Sequence, residues 1–286
     1  MRPANLTDRY SMMATERWPN GAKAAVSFTM DNLGEPLEIQ LGLWPAEGPY
    51  GTHPSIKDCL PHVLETLSKH NVKGTYFTEA WSLNIYANEV KQMIRQGHEI
   101  GWHAYQHEIW DKLSPEGEAQ NFQKSVDAAA AFGIKYSGFR PPGGTTTEDT
   151  FKLLNKHGFR YVSPLADKTA KKNSIVVAPF QWRNVDAFYY APEFTALRQS
   201  YGEEGPVIDP KVFRDHLRTK ISDAVRAGEH LVILFHPFLQ TSEEKLEVLR
   251  EIVERLGTDP DIWCAPCGEV VGWMQSHPER FPEVSS

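Results

Sequence analysis

Two histidines four residues apart, His103 and His107, are the side chains of this 286-residue sequence that point most directly to metal chemistry. On a helical turn this spacing places both rings on one face, and on a loop leaving a strand two imidazoles can still converge on one ion. Neutral imidazole binds zinc and similar divalent cations, and two imidazoles need one or two oxygen donors to complete a site. The alternative is an ordinary pair of surface or hydrogen-bonded core histidines, so the rest of the chain must decide.

An acidic residue at the end of a predicted strand could supply an oxygen donor. Residues 24–30 form a short apolar run typical of a buried strand, and Asp31 follows it directly. Reactive residues of α/β folds lie at the carboxyl ends of strands. Asp31 is therefore predicted as a metal ligand or as a general base that takes a proton from water, with a structural cap as the alternative. Asn32 beside it offers only a neutral amide oxygen, which is a weaker ligand.

Three further residues could act with this group. His236 ends the most apolar strand, residues 231–235, and could protonate a leaving nitrogen or oxygen, or be a structural core histidine. Arg140 precedes two prolines that cannot continue a strand. Its guanidinium could orient the carboxylate base through a bidentate pair, or form a structural ion pair under the barrel rim. Asp186 could pair with either of them.

The elements that must position these residues alternate as strand and helix about seven times. This alternation predicts an α/β fold with a parallel sheet that is closed, or nearly closed, into a barrel, with its site on the carboxyl face. Neither a linker nor an internal repeat divides the chain, so one domain over residues 1–286 is expected, with an N-terminal arm at 1–22. The long segment 33–52, rich in glycine and proline, is typical of a lid or a partner-binding arm.

Composition excludes several classes of protein. A net charge of −7 and a pI near 5.9 argue against nucleic acid and anionic membranes as partners. Three cysteines make a disulfide framework improbable, and Cys264 and Cys267 lack a second pair for a zinc ribbon, so reduced structural thiols are expected. The first ten residues contain no apolar signal-peptide core, and the chain has no stretch long enough to span a membrane, so a cytoplasmic protein is expected.

Taken in order, four segments resemble the motifs of the polysaccharide deacetylase family, carbohydrate esterase family 4. The family's Thr-Phe-Asp-Asp motif resembles residues 29–32, its His-(Ser/Thr)-x-x-His motif resembles residues 103–107, and its Arg-x-Pro-x-Gly motif resembles residues 140–144. A final hydrophobic-His segment resembles residues 234–237. The match covers about residues 24–240, and the ordered set is more specific than any one motif.

The resemblance implies a distorted (β/α)7 barrel and a divalent metal, most simply zinc, bound by Asp31, His103 and His107. It also implies a base Asp, an acid at His236, and hydrolysis of an N-acetyl or O-acetyl group. Two positions depart from the family pattern. Asn32 stands where the family has its second Asp, which usually binds the metal, so either Asn32 coordinates weakly or Asp31 takes the metal and the base is missing or comes from elsewhere. Ala104 replaces the small hydroxyl residue.

Other segments of the sequence are more similar to the allantoinase-like and cyclic-imide-hydrolase-like branch of the family, for example residues 97–100, 138–143 and 157–161. That branch implies a cytoplasmic homo-oligomer, tetrameric by resemblance, acting on small amides or imides. The leading hypothesis is therefore metal-dependent hydrolysis of a non-peptide carbon–nitrogen bond. Two alternatives stay open: a glycan deacetylase that releases acetate, and a degenerate, non-catalytic ligand binder, which Asn32 suggests.

Overall fold

A curled nine-stranded sheet forms the centre of the protein in the computed structural model, which describes residues 17–284. Residues 1–16, most of the predicted N-terminal arm, lie outside the described residues. The strands are β1 Ala24–Asp31, β2 Thr75–Thr78, β3 Glu99–Trp102, β4 Gly138–Phe139, β5 Tyr161–Val162, β6 Ala170–Lys172, β7 Ile175–Val177, β8 His230–Phe235 and β9 Ile262–Cys264.

The sheet runs in the order β6-β7-β5-β4-β3-β2-β1-β8, and β9 pairs with the beginning of β1. All neighbours are parallel except β6 and β7. Every residue of β1 is buried, because both faces of the sheet are covered, and this explains its continuous run of apolar and small residues. Parallel pairing places the carboxyl ends of β1, β2, β3, β4 and β8 at one rim.

Helices connect and cover the strands. They are α1 Pro36–Gln40, α2 Leu60–Lys69, α3 Ser82–Ile85, α4 Ala87–Arg95, α5 Pro115–Ala130, α6 Glu148–Lys156, α7 Asp186–Tyr190, α8 Thr195–Ser200, α9 Pro210–Ala227, α10 Glu243–Thr258 and α11 Cys267–Ser276. Side-chain caps begin two of them: the side chain of Ser114 accepts a hydrogen bond from Gly117 N at the start of α5, and that of Thr147 accepts one from Thr150 N at the start of α6.

The predicted α/β distorted barrel is confirmed, with one difference in its closure. The sheet curls into a half-barrel whose edges, β6 and β8, do not pair with each other. The segment before α7 lies along β8 instead, where Val185 and Leu234 form a single parallel bridge. Neither the antiparallel β6 nor α7 was predicted, because β6 reads Ala-Lys-Lys with no apolar alternation and α7 is a five-residue helix without a stripe.

The long segment after β1 also differs from its prediction, since part of it forms the short helix α1 rather than an irregular loop. Among residues 17–284, no helix combines the length and the apolar character that crossing a bilayer would require.

The cysteines are free thiols, as predicted. Cys264 ends β9 and Cys267 begins α11. Burial raises the pKa of Cys264 to about 12 and that of Cys267 to about 11. Both are therefore protonated at neutral pH, which is typical of structural cysteines rather than redox-active ones.

Candidate metal centre and active site

Five side chains meet at the carboxyl rim because each stands at, or directly after, the end of a parallel strand. Asp31 ends β1, Glu79 follows β2, His103 follows β3, Arg140 follows β4 and His236 follows β8. All five are buried, none more than 8% exposed. Four of them, all but Glu79, line a cavity of about 280 Å3. This is where reactive groups of barrel folds are found.

The two histidines lie on a tight loop rather than on a helix. Ala104 and His107 both have positive φ, 65° and 62°, a conformation that non-glycine residues rarely adopt. The carboxylate of Glu108 stabilises the loop by accepting hydrogen bonds from the backbone N–H groups of Tyr105 and Gln106. The result is that the His103 and His107 rings lie with their centroids 5.1 Å apart.

Hydrogen bonds determine which nitrogen of each ring is available. Nδ1 of His103 lies 2.7 Å from the backbone oxygen of Arg140, which can only accept, so Nδ1 carries the proton and Nε2 keeps its lone pair. Nδ1 of His107 lies 2.5 Å from Oε1 of Gln40 in α1, with the same consequence. Metal-binding histidines in proteins are oriented by this kind of outer hydrogen bond.

Both rings are held neutral. Burial, with the charge of Arg140 adding to it, lowers the pKa of His103 to about 3. The pKa of His107 lies well below its usual value, because protein surrounds the ring and His103 is its neighbour. Since a metal ligand must be unprotonated, both imidazoles are ready to bind a cation at neutral pH.

Glu79 supplies the carboxylate beside the two rings. One ligand atom each from Glu79, His103 and His107 lies within 4.8 Å of the others, and this is the metal-binding set found among the described residues. The Glu79 oxygens accept hydrogen bonds from Asn32 Nδ2 at 2.9 Å and from Leu33 N at 2.7 Å. Burial raises the pKa of Glu79 to about 7 despite these hydrogen bonds, which favour the charged form.

This donor set fits a divalent cation. Each carboxylate oxygen has two lone pairs, so the hydrogen bonds of Glu79 leave further lone pairs for a metal, and the two free Nε2 atoms complete three ligands. Two imidazoles and one carboxylate with an open position are one of the donor sets found in catalytic zinc sites. The chain therefore carries a candidate metal centre, although its donors alone do not identify the element.

Asp31, predicted as both a ligand and a catalytic residue, lies beside this set but outside it. Its Oδ2 is 3.9 Å from His103 Nε2, and its Oδ1 accepts a 2.7 Å hydrogen bond from Nη1 of Arg140. The Arg140 contact is single rather than the bidentate pair that was expected. The Arg140 guanidinium also donates hydrogen bonds to the hydroxyl groups of Thr29 and Ser163. It therefore positions Asp31 within a wholly buried network.

Asp186 pairs with His236, one of the two partners considered for Asp186 from the sequence. Nδ1 of His236 lies 2.6 Å from Oδ1 of Asp186, whose Oδ2 accepts from the backbone N of His236 and from Nε2 of Gln240. Burial acts to lower the pKa of His236, but the charge of Asp186, the hydrogen bond to it and the charge of Asp31 together outweigh burial and raise it. His236 is thus favoured as a protonated group facing the cavity.

Sequence reasoning missed two members of the site. Glu79 directly follows β2, so the rule that selected Asp31, a polar residue at the end of a strand, would have found it. Gln40 carried no such signal, because nothing in the sequence shows that the segment after β1 folds back over the rim. Among the tryptophans, Trp182 lines the cavity, whereas Trp102 and Trp110 are buried core residues.

Comparison with known proteins agrees with this geometry. Residues 47–162 match the family model described as polysaccharide deacetylase. A crystal structure from Mycobacterium smegmatis, provisionally described as a polysaccharide deacetylase, superposes with a TM-score of 0.77 at 25% identity and covers 91% of this chain and 93% of that one. The chain is therefore similar to the polysaccharide deacetylase family, over residues 47–162 in sequence and over most of its length in fold.

Other similar proteins share less sequence or less length. PuuE allantoinase has the same fold, with a TM-score of 0.72 at 18% identity over 97% of this chain and 99% of its own. The peptidoglycan deacetylase of Helicobacter pylori is 29% identical over 103 residues, and a peptidoglycan-N-acetylglucosamine deacetylase of Bacillus cereus is 31% identical over 106. These two matches cover 36% of this chain and only 35% and 38% of the relatives, so the chain spans about a third of the length of these curated relatives.

Proposed function

We propose that this protein hydrolyses a non-peptide carbon–nitrogen bond of a small amide or imide with the help of a divalent cation, zinc in the first instance. The observation that carries the proposal is the convergence of Glu79, His103 and His107 within 4.8 Å, beside a cavity that also holds Asp31 and His236. A cation bound by these three residues would act as a Lewis acid that polarises a carbonyl oxygen and lowers the pKa of water.

Asp31 is the general base of this proposal. Because Glu79 provides the carboxylate for the cation, Asp31 is left to accept a proton from the attacking water. Arg140 holds the Asp31 carboxylate toward His103 through the 2.7 Å hydrogen bond. The sequence left open that Asp31 binds the metal and that the general base is missing, because Asn32 replaces an aspartate. In this proposal Glu79, which follows β2, binds the cation, so Asp31 remains free to act as the base.

His236 is the general acid. Asp186 holds Nδ1 of His236, so Nε2 is the nitrogen that can give its proton to the leaving nitrogen. In the balanced step, water oxygen bonds to the carbonyl carbon, the carbon–nitrogen bond breaks, Asp31 receives the water proton and His236 protonates the amine or amide that leaves. A raised pKa favours the charged form of His236 before this transfer.

A glycan deacetylase that releases acetate is the second candidate, favoured by the peptidoglycan deacetylases among the relatives. The non-catalytic binder is the third, favoured by Asn32 in place of an aspartate. Turnover of cyclic imides against acetate release from chito-oligosaccharides separates the first two, and saturable binding without product from either panel would support the third. The predicted cytoplasmic location and homo-oligomeric state stay predictions.

His103→Ala tests the proposal. We expect this variant to lose both bound metal and turnover of the imide panel, while the exposed-residue control His62→Ala keeps both. Metal content by mass spectrometry and product release by chromatography are measured on the same preparations. Full turnover of His103→Ala in the presence of a chelator would refute the proposed role of the cation.

A further inference from the structure

One side of the cavity is formed by apolar side chains, here named the apolar wall. These side chains come from α1, from the loop after His107, from the segments around α7 and from β8: Leu37, Ile109, Phe180, Trp182, Phe194 and Leu234. The apolar wall lines the same cavity as the reactive groups. A substrate whose carbonyl lies near His103 and His107 must therefore place another part of its structure in contact with the apolar wall.

Three aromatic rings of the apolar wall pack as a ladder. Trp182 lies edge-on between Phe180 and Phe194, with both centroid distances 5.3 Å. Trp182 and Phe194 are only partly buried, and Ile109 at the rim is 49% exposed. Large apolar groups left open to solvent beside a reactive site gain free energy when a ligand covers them.

Polar groups that could bind hydroxyls are scarce beyond the reactive residues. Among the described residues that line the cavity, the additional polar side chains are Asn32, Gln40 and the indole of Trp182. The Asn32 amide already donates to Glu79, and Gln40 Oε1 already accepts from His107. The Arg140 guanidinium is satisfied by Thr29, Asp31 and Ser163. A buried hydroxyl without a partner is costly, so a sugar ring would leave several of its groups poorly matched here.

We propose that the substrate of this site carries a compact apolar group that binds to the apolar wall, and that it is not a glycan chain. This inference rests on the proposed function, because it takes the amide carbonyl to lie at the cation. The cavity volume of about 280 Å3 suits a small molecule with one such group. Leu37, Ile109, Trp182 and Phe194 are then specificity-determining residues rather than catalytic ones.

A matched pair of hydroxamates tests this inference without requiring turnover. Acetohydroxamic acid and phenylacetohydroxamic acid bind cations through the same two oxygens and differ by a phenyl ring. On the zinc-loaded protein, calorimetry is expected to show the phenyl compound binding about tenfold tighter or more. Phe194→Ala and Ile109→Ala should each bring that ratio toward one, and Ile94→Ala, a similarly exposed isoleucine on α4 outside the cavity, should leave it unchanged.

The outcomes separate this inference from the proposed function. Equal affinities for the two hydroxamates, or a ratio that survives both wall substitutions, would overturn the inference and leave the metal centre standing. Displacement of phenylacetohydroxamic acid by chitotriose at comparable concentration would also overturn it, in favour of a glycan. Failure of the protein to take up zinc before the titration would reject the metal centre itself and the inference with it. Failure of both hydroxamates to bind the zinc-loaded protein would overturn the inference. Using two wall variants keeps the test decisive if one of them folds poorly.

Discussion

Asn32 and Glu79 are joined by a hydrogen bond of 2.9 Å from the side-chain amide of one to the carboxylate of the other. Asn32 occupies the position where the family pattern has an aspartate, and Glu79 lies one strand away, at the end of β2. The amide therefore orients a carboxylate that belongs to the neighbouring strand. A second negative charge at position 32 would instead repel the Glu79 carboxylate inside a buried site. A neutral amide at position 32 is therefore compatible with a carboxylate at position 79.

Replacing Glu79 with Gln should remove a metal ligand without disturbing the fold, because the Asn32 amide can turn its oxygen toward the new amide. Outer hydrogen bonds to metal ligands are worth about 10–100-fold in affinity, so loss of a direct ligand is expected to cost more than about 100-fold. Calorimetric zinc titration measures this. Glu118→Gln is the control, since Glu118 is also buried and hydrogen-bonded but lies outside the candidate metal-binding set.

Asp31→Asn is the complementary variant. If Glu79 is the ligand and Asp31 the base, Asp31→Asn should retain zinc and lose turnover by about 100-fold or more. The reverse pattern, with zinc lost in Asp31→Asn and kept in Glu79→Gln, would return the ligand role to Asp31 as the family resemblance implies.

Zinc affinity should depend on pH through Glu79. Its pKa of about 7 in the metal-free protein lies above the ordinary value, so below that pH a proton occupies the carboxylate and competes with the cation. Affinity should then fall about tenfold for each pH unit below about 7, with one proton released on binding. The histidines add no such slope near neutrality, since the pKa of His103 is about 3 and that of His107 is also low. Titrations in buffers of different ionisation enthalpy measure the released proton, and Glu79→Gln should abolish it.

Asp186→Asn should weaken the general acid. The Asp186 charge and hydrogen bond raise the pKa of His236, so a neutral amide there lowers that pKa and reduces the protonated fraction at neutral pH. The alkaline limb of the pH–rate profile should move to lower pH, and turnover near neutrality should fall about tenfold or more. The exposed Asp215→Asn serves as the control, and an unmoved alkaline limb in Asp186→Asn would show that His236 is not the acid.

Gln40→Ala should lower zinc affinity by about tenfold, because Gln40 fixes the proton of His107 on Nδ1 and its lone pair on Nε2. Gln40→Glu should preserve the affinity, since a carboxylate accepts the same hydrogen bond. Gln123→Ala on the exposed side of α5 is the comparison for surface glutamine loss. If Gln40→Ala and Gln123→Ala bind zinc equally well, α1 does not help to position the ligand.

Local sequence patterns determine the secondary structure of this protein and the edge of the sheet on which the site lies. The apolar run before Asp31, the capped helices that begin after Ser114 and Thr147, and the alternation of strand and helix determine an α/β sheet whose carboxyl rim carries His103, Arg140 and His236. Parallel pairing alone then brings these residues to one edge, which is why the site could be located from the sequence.

Tertiary structure decided the rest. It turned the segment after β1 back over the rim, so that Gln40 reaches His107, and it set Asn32 against Glu79 so that the carboxylate ligand comes from β2. It also opened the sheet between β6 and β8 and placed the aromatic ladder beside the reactive groups. These relationships join residues far apart in the chain through side-chain packing and hydrogen bonds, and neither helical nor strand periodicity contains information about such contacts.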